Sequence, residues 1–187
     1  MKRALEAVER TDQAVADTLA LDGRTRAARR TSAFAEAGDQ PPLIILSLAV
    51  VAAGLAGGNS RIRRTGMRML TAHSLATLFK LAIKDRIDRT RPGARDEKGY
   101  RLEKGSSRDG RLRSMPSGHS AGVAAVAGAI AVDYPGARVP VAIAASAIGA
   151  AQLPSKNHFM SDVVVGAILG LAAAGIARVM IPPIEKS

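Results

Sequence analysis

The stretch PPLIILSLAVVAAGLAGG, Pro41–Gly58, runs for 18 residues without a charge, just enough for a helix to cross a hydrocarbon layer. A second run, VVVGAILGLAAAGIA over 163–177, shows no polar face either. The helices of a soluble domain this small keep one polar side toward water. These two have none, so the surroundings they fit are lipid. Working outward, three more apolar stretches appear: Gly66 to Ile83, Ser120 to Val132 and Val139 to Leu153. Arg68, Lys80 and Arg178 stand near the ends of their stretches, where long cationic side chains reach the interface. Aromatics are only 3% of the chain and there is no Trp, so the apolar content is small and aliphatic and suits close helix packing in lipid. The expected fold is all-α, an integral-membrane bundle of about five spanning helices.

Residues 1–40 form a separate N-terminal unit in this reading, with the membrane domain over 41–187. Lys2 and Arg3 resemble the start of a secretory signal, but Glu6, Glu9, Arg10, Asp12 and Asp17 interrupt any apolar run. Leu5, Val8, Val15 and Leu19 recur at helical spacing. They predict a weakly amphipathic helix, broken at Asp12, that packs on the rest of the protein or lies on the membrane surface.

The formal net charge of +11 admits nucleic acid, an anionic membrane or a phosphorylated substrate as partner. The apolar pattern removes nucleic acid, which calls for a soluble basic domain. Lys84 to Ser114 is highly charged, contains Gly93, Gly99, Gly105 and Gly110, and reads as a loop. With five spans this loop shares a side with the N-terminus and with 154–161, and most of the Lys and Arg fall on that side. The positive-inside rule then puts these loops at the cytoplasmic face. The absence of Cys removes disulfides, thiolate catalysis and Cys-ligated metals.

Three polar clusters sit where apolar stretches end. Lys84 and Arg91 are seven residues apart, so both point the same way if the helix runs on to Arg91, where Pro92 ends it. Pro116-Ser117-Gly118-His119 directly precedes an apolar run; a Ser-Gly turn at a helix N-terminus offers N–H groups to an anion, and His119 there can protonate a leaving oxygen. His158 and Asp162 stand at i, i+4, where a carboxylate can fix the tautomer of an imidazole able to attack phosphorus. Each cluster also has a structural reading, as a membrane boundary, an N-cap or a His–Asp cap. His73, inside the second apolar stretch, reads as a packing or hydrogen-bonded histidine. No metal-binding spacing is present in the sequence, and no cofactor is called for.

Taken together, the order and spacing of these clusters resemble the type 2 phosphatidic acid phosphatase superfamily, which includes acid phosphatases and vanadium haloperoxidases. Its signature reads Lys, six residues, Arg-Pro; then Pro-Ser-Gly-His; then Ser-Arg, five residues, His, three residues, Asp. The chain matches the first at Lys84, Arg91 and Pro92, the second at 116–119, and the third at His158 and Asp162. The resemblance spans about residues 41–181. It implies that His158 forms a phosphohistidine, Asp162 orients it, His119 protonates the leaving alkoxide, and Lys84, Arg91, Ser117 and Gly118 hold the phosphate. No metal is implied.

The chain departs from the signature at Ala151 and Gln152, which stand in place of Ser-Arg. Losing an oxyanion donor typically costs on the order of a hundredfold in rate. Gln152 still offers one neutral hydrogen bond, and Lys156 is near enough in sequence to supply the missing charge. The expected function is a multi-pass membrane lipid phosphatase (at the inner membrane if bacterial), acting on a phosphate monoester or pyrophosphate. Polyprenyl phosphates, phosphatidate, phosphatidylglycerol phosphate and lipid A are of that class, and the small size favours a slender polyprenyl chain. The alternative is a catalytically degenerate homologue that binds phospholipid or a membrane partner.

Overall fold

A computed structural model describes residues 2–182, apart from the side chains of residues 2, 4 and 5. The chain end beyond 182 and the side chain of Leu5 therefore lie outside the described residues. The described elements, in order, are α1 (Lys2–Leu19), α2 (Arg26–Glu36), α3 (Gln40–Ala56), α4 (Ser60–Lys84), β1 (Ile87–Arg89), α5 (Arg95–Lys98), β2 (Leu102–Lys104), α6 (Gly118–Asp133), α7 (Arg138–Ala150) and α8 (Met160–Met180). The fold is all-α apart from the two-stranded antiparallel ribbon β1–β2.

Small residues set how closely the long helices approach. A Cβ on Gly170 would lie 2.3 Å from the Ala121 carbonyl, and one on Gly166 would lie 2.4 Å from the Ser117 carbonyl. With Ala174 next along the same face, α8 presents a smooth strip to Ala121, Ala125 and Ala129 of α6. This is the small-residue packing by which helices associate in lipid. The α3–α4 hairpin closes the same way: Cβ atoms on Gly54 and Gly66 would meet the Arg63 and Val51 amide nitrogens at 2.3 and 2.6 Å. Asn59 caps α4 by accepting from the Ile62 N–H (3.1 Å). At the end of the bundle away from the three clusters, the buried Arg68 pairs with Asp133 and donates to the Ile181 carbonyl.

Large apolar side chains point outward, among them Ile45, Leu55, Val139, Ile143 and Val179. On its own, α8 is long and apolar enough to cross a bilayer. α2 and α3 pass that test together, with a 46° bend between them, and α6 is apolar but shorter.

Several expectations need correction. α1 does not break at Asp12; it is continuous, because Asp12 turns inward to charged partners rather than competing for the backbone. Nor is its buried face the apolar stripe: Val8 and Leu19 are exposed, while Asp12 and Ala16 are buried. α4 starts earlier than its apolar stretch and absorbs the basic hinge Arg61, Arg63 and Arg64. It also stops at Lys84, so Arg91 is not two helical turns on; the chain leaves α4 through β1 and Arg91 has extended backbone (φ −69°, ψ 148°). The charged loop is organised by the β1–β2 ribbon and α5. His158 precedes α8 rather than riding on its face, and Asp162 is in its first turn.

The glycine strip makes a sharp test. Gly170→Val is expected to lower the thermal unfolding midpoint in detergent, since overpacking costs about 1–3 kcal/mol. Gly175→Ala, whose Cβ would meet nothing within 4 Å, is expected to leave the midpoint unchanged or slightly raised.

Candidate active site

The C-terminus of α4 and the N-termini of α6 and α8 meet at one end of the bundle. Their junction is a hydrogen bond from the Ser117 N–H to the Asp162 carbonyl (3.0 Å). Beside it lies a cavity of about 340 Å³, lined among others by Lys84, Arg91, Gly118, His119, Gln152 and His158. Sequence reading had placed all six at a candidate site. Ser117, the N-cap of α6, does not line the cavity: it is fully buried beside Gly118, its Oγ accepting from the Ser120 N–H (3.3 Å). Lys156 is elsewhere: it is exposed, has a left-handed backbone (φ 54°), and lines a separate hollow with residues of α2.

Four lining residues carried no signal in the sequence. Lys80 had been read as a snorkelling cation, yet it borders the cavity beside Gly118. A Cβ on Gly118 would lie 3.0 Å from Lys80 Cδ, so a larger residue there would crowd that lysine. Arg113 and Asn157 line the cavity as well. Asp39, at the N-cap of α3, stands 3.0 Å from His119 Nε2.

The cations are steadied mainly by backbone carbonyls. Lys84 Nζ donates to the Arg113 carbonyl (2.6 Å) and Arg91 Nε donates to the Gly110 carbonyl (2.8 Å). Burial, together with Arg91, Lys80 and Arg113, pushes Lys84 down to about 7. Such a concentration of like charge, with neutral groups holding it, is built for an anion.

His158 is buried, with Nδ1 3.8 Å from Asp162 Oδ2, beyond a hydrogen bond but close enough for charge to act. Burial pushes His158 down to about 4, with Asp162 opposing and Arg91 and Lys84 assisting. The ring is therefore neutral at pH 7. For Asp162, burial would raise the pKa, but His158, Arg89 and Ser114 outweigh it and hold the carboxyl below the usual carboxylate range. Ser114 Oγ (2.5 Å) and the Phe159 N–H (2.8 Å) both donate to Asp162 Oδ2, and Arg89 Nη1 donates to Oδ1 (2.6 Å). Burial also lowers His119, where Asp39 opposes and the cavity cations assist.

Gln152 is 1% exposed, and neither its amide nitrogen nor its amide oxygen has a hydrogen-bond partner among the described residues. A buried amide left unpaired costs about 1–3 kcal/mol. In a cavity wall, such an amide can both donate to and accept from a group that enters. His73 differs: its two ring nitrogens are also unpartnered among the described residues, but it lies between α4 and α6 as packing.

Residues 65–185 match the PAP2 superfamily. No curated protein matches the chain. Its fold is similar to the crystal structure of the first transmembrane PAP2 type phosphatidylglycerolphosphate phosphatase from Bacillus subtilis, with a TM-score of 0.70 and 19% identity. That likeness covers 96% of this chain and 89% of that one.

Histidine NMR titration tests the electrostatics without any substrate. His158 is expected to titrate near 4 and His119 below its ordinary 6.5. Inorganic phosphate is expected to raise the His119 value, because an anion in the cavity offsets the cations that depress it. A His158 that titrates near 6.5 would show the ring to be solvated.

Proposed function

The chain belongs to the PAP2 superfamily, and from that premise we propose that it is a multi-pass membrane lipid phosphatase working through a phosphohistidine. The observation that carries the reading is the gathering of Lys84, Arg91, Gly118, His119, Gln152 and His158 around one cavity, at the end of a bundle whose outer surface is apolar. The apolar stretches of α3, α4, α6, α7 and α8 are the five spans, and Lys84, His119, His158 and Asp162 lie outside them at the polar boundary on the cytoplasmic side. The substrate is a phosphate monoester or pyrophosphate whose tail stays in the bilayer, a polyprenyl phosphate or a phospholipid. The cavity takes the head group only.

Lys84, Arg91, the N–H groups of the Ser117-Gly118 turn and the Gln152 amide hold the phosphate oxygens. Lys80 and Arg113 add charge from the rim. Asp162 keeps His158 oriented through Nδ1, which leaves Nε2 to attack phosphorus. As the N–P bond forms, the P–O bond to the lipid breaks and His119 gives its proton to the leaving oxygen. Asp39, beside His119, favours the protonated ring that this step needs. Positive charge then developing on His158 is balanced by Asp162, as in other His–carboxylate pairs. Water next attacks phosphorus, His119 takes its proton, and the P–N bond breaks to release phosphate.

The non-catalytic alternative rested on Gln152. Its buried, unpaired amide in the cavity wall supports a residue kept to meet phosphate, not one drifting out of use.

Phosphate release from phosphatidate, phosphatidylglycerol phosphate and a polyprenyl pyrophosphate in micelles, with EDTA present, tests the proposal. Wild type is expected to turn over at least one of them, and His158→Ala none; turnover retained by His158→Ala would remove the nucleophile assignment. Gln152→Arg is expected to match or exceed wild type, since a charged donor replaces a neutral one.

The pH profile has a definite sign. The rate constant kcat/KM is expected to fall as pH drops through about 4, where His158 gains a proton. It is also expected to fall as pH rises toward neutrality, where His119 loses its proton and Lys84, near 7, its charge. The optimum is thus on the acid side of neutrality. An optimum above pH 8 would be inconsistent with His119 as the acid.

A further inference from the structure

The first turn of α8 carries Asp162 and has only half a cap of its own: Asp162 accepts from the Phe159 N–H, but Phe159 at the N-cap position has no side-chain acceptor for the turn's free N–H groups. The other half comes from α1. Asp12 Oδ1 accepts from the Ser161 N–H (2.9 Å), and Asp12 Oδ2 accepts from the Ser161 hydroxyl. Arg89, at the end of β1, joins the two helices: Nη2 donates to Asp12 Oδ2 (2.7 Å), while Nη1 donates to Asp162 Oδ1 (2.6 Å) and to Ser161 Oγ (2.7 Å). Its guanidinium lies 4.4 Å from the centre of the Phe159 ring and bonds the Tyr100 hydroxyl (3.3 Å). Arg89 and Asp12 are each 1% exposed, and Asp162 is fully buried. A planar fork of donors fits two carboxylates at once in a way that a lysine cannot.

Among the described side chains of α1, only Asp12 and Ala16 are buried. The helix is therefore held on the bundle less by apolar area than by this polar junction. We propose that Asp12 is a positioning residue for the reaction: through Arg89 and Ser161, α1 sets the geometry at which Asp162 meets His158. The proposal rests on the reading of His158 as the nucleophile. Two carboxylates around one guanidinium leave a net negative charge behind the imidazole, where a positive charge must form. Undocking α1 uncaps the turn, admits water to the ring and frees Arg89 to draw Asp162 away. α1 is in this way part of the active site without touching the cavity.

The test uses the full chain in detergent, comparing wild type with Asp12→Ala, Asp12→Asn and, as a control on the same helix, Asp17→Asn. Asp17 is an exposed partner of Arg95. With three histidines in the chain, the His158 signal is identified by its loss in a His158 variant. In Asp12→Ala the His158 titration is expected to rise from near 4 toward 6.5 as water reaches the ring. kcat is expected to fall by about tenfold to a hundredfold, as a small displacement of a reacting group commonly costs, with KM changing less than twofold. Asp12→Asn, which keeps an acceptor for the Ser161 N–H, is expected to fall between; it also serves if the alanine variant does not fold. Asp17→Asn should match wild type. An unmoved His158 titration in both Asp12 variants overturns the proposal, even if their unfolding midpoints fall. So does a rise in KM at constant kcat, which would make α1 a substrate-docking element. Because titration needs no turnover, its outcome stands even if wild type releases no phosphate, which would count only against the phosphatase reading.

Discussion

The backbone contact between α6 and α8 is the constraint on which everything else depends. Gly166 and Gly170 let the two helices touch at the Ser117 and Ala121 carbonyls, and that closeness brings two N-termini to one level. Ser117 and Asp162 can then share a hydrogen bond. The positive ends of both helix dipoles converge on the same small volume. A pair of larger side chains on that strip would part the helices, and His119 and His158 would no longer face one cavity.

The site itself is an arrangement of unequal neutralisation. Asp162 is buried behind His158 and matched by Arg89, Ser114 and a backbone donor, while Asp39 stands at the cavity edge beside His119. Lys84 and Arg91 are instead tethered by carbonyls, which orient them without cancelling them. The positive field faces the cavity, and the Asp162 charge lies behind the His158 ring. Gln152 adds a neutral donor in a place where the family signature carries a charged one.

Much of this was legible in the chain, because helices and their ends leave local marks. The uncharged run Pro41–Gly58 gave α3 to within two residues at either end, and Pro116-Ser117-Gly118 announced a capped helix start. Lys84, Arg91, His119 and His158 stand out by residue type and spacing, and Gln152 by its place in the family signature that the chain resembles. What the sequence could not carry was pairing across long separations. Arg89 reaches Asp12 and Asp162, which lie 77 and 73 residues away, and no periodicity records that. Asp12 was misread as a helix breaker for the same reason: a carboxylate inside an amphipathic pattern looks like an interruption until its partner is known. Lys80 reads as a boundary lysine, and Asp39 carries no mark at all, because nothing local shows which way such residues turn.

Because Asp162 and His158 belong to the last helix and the turn before it, the order of synthesis matters. The cations Lys80, Lys84 and Arg91 emerge first, His119 next, and His158 with Asp162 last. Domains assemble from the N-terminus as the chain is made, so a nascent chain short of α8 holds the cations but not the His158–Asp162 pair. Arg89 meanwhile has Asp12 as a partner and is not stranded in the interior. The final helix therefore completes the bundle and the cavity wall's polar group in the same event.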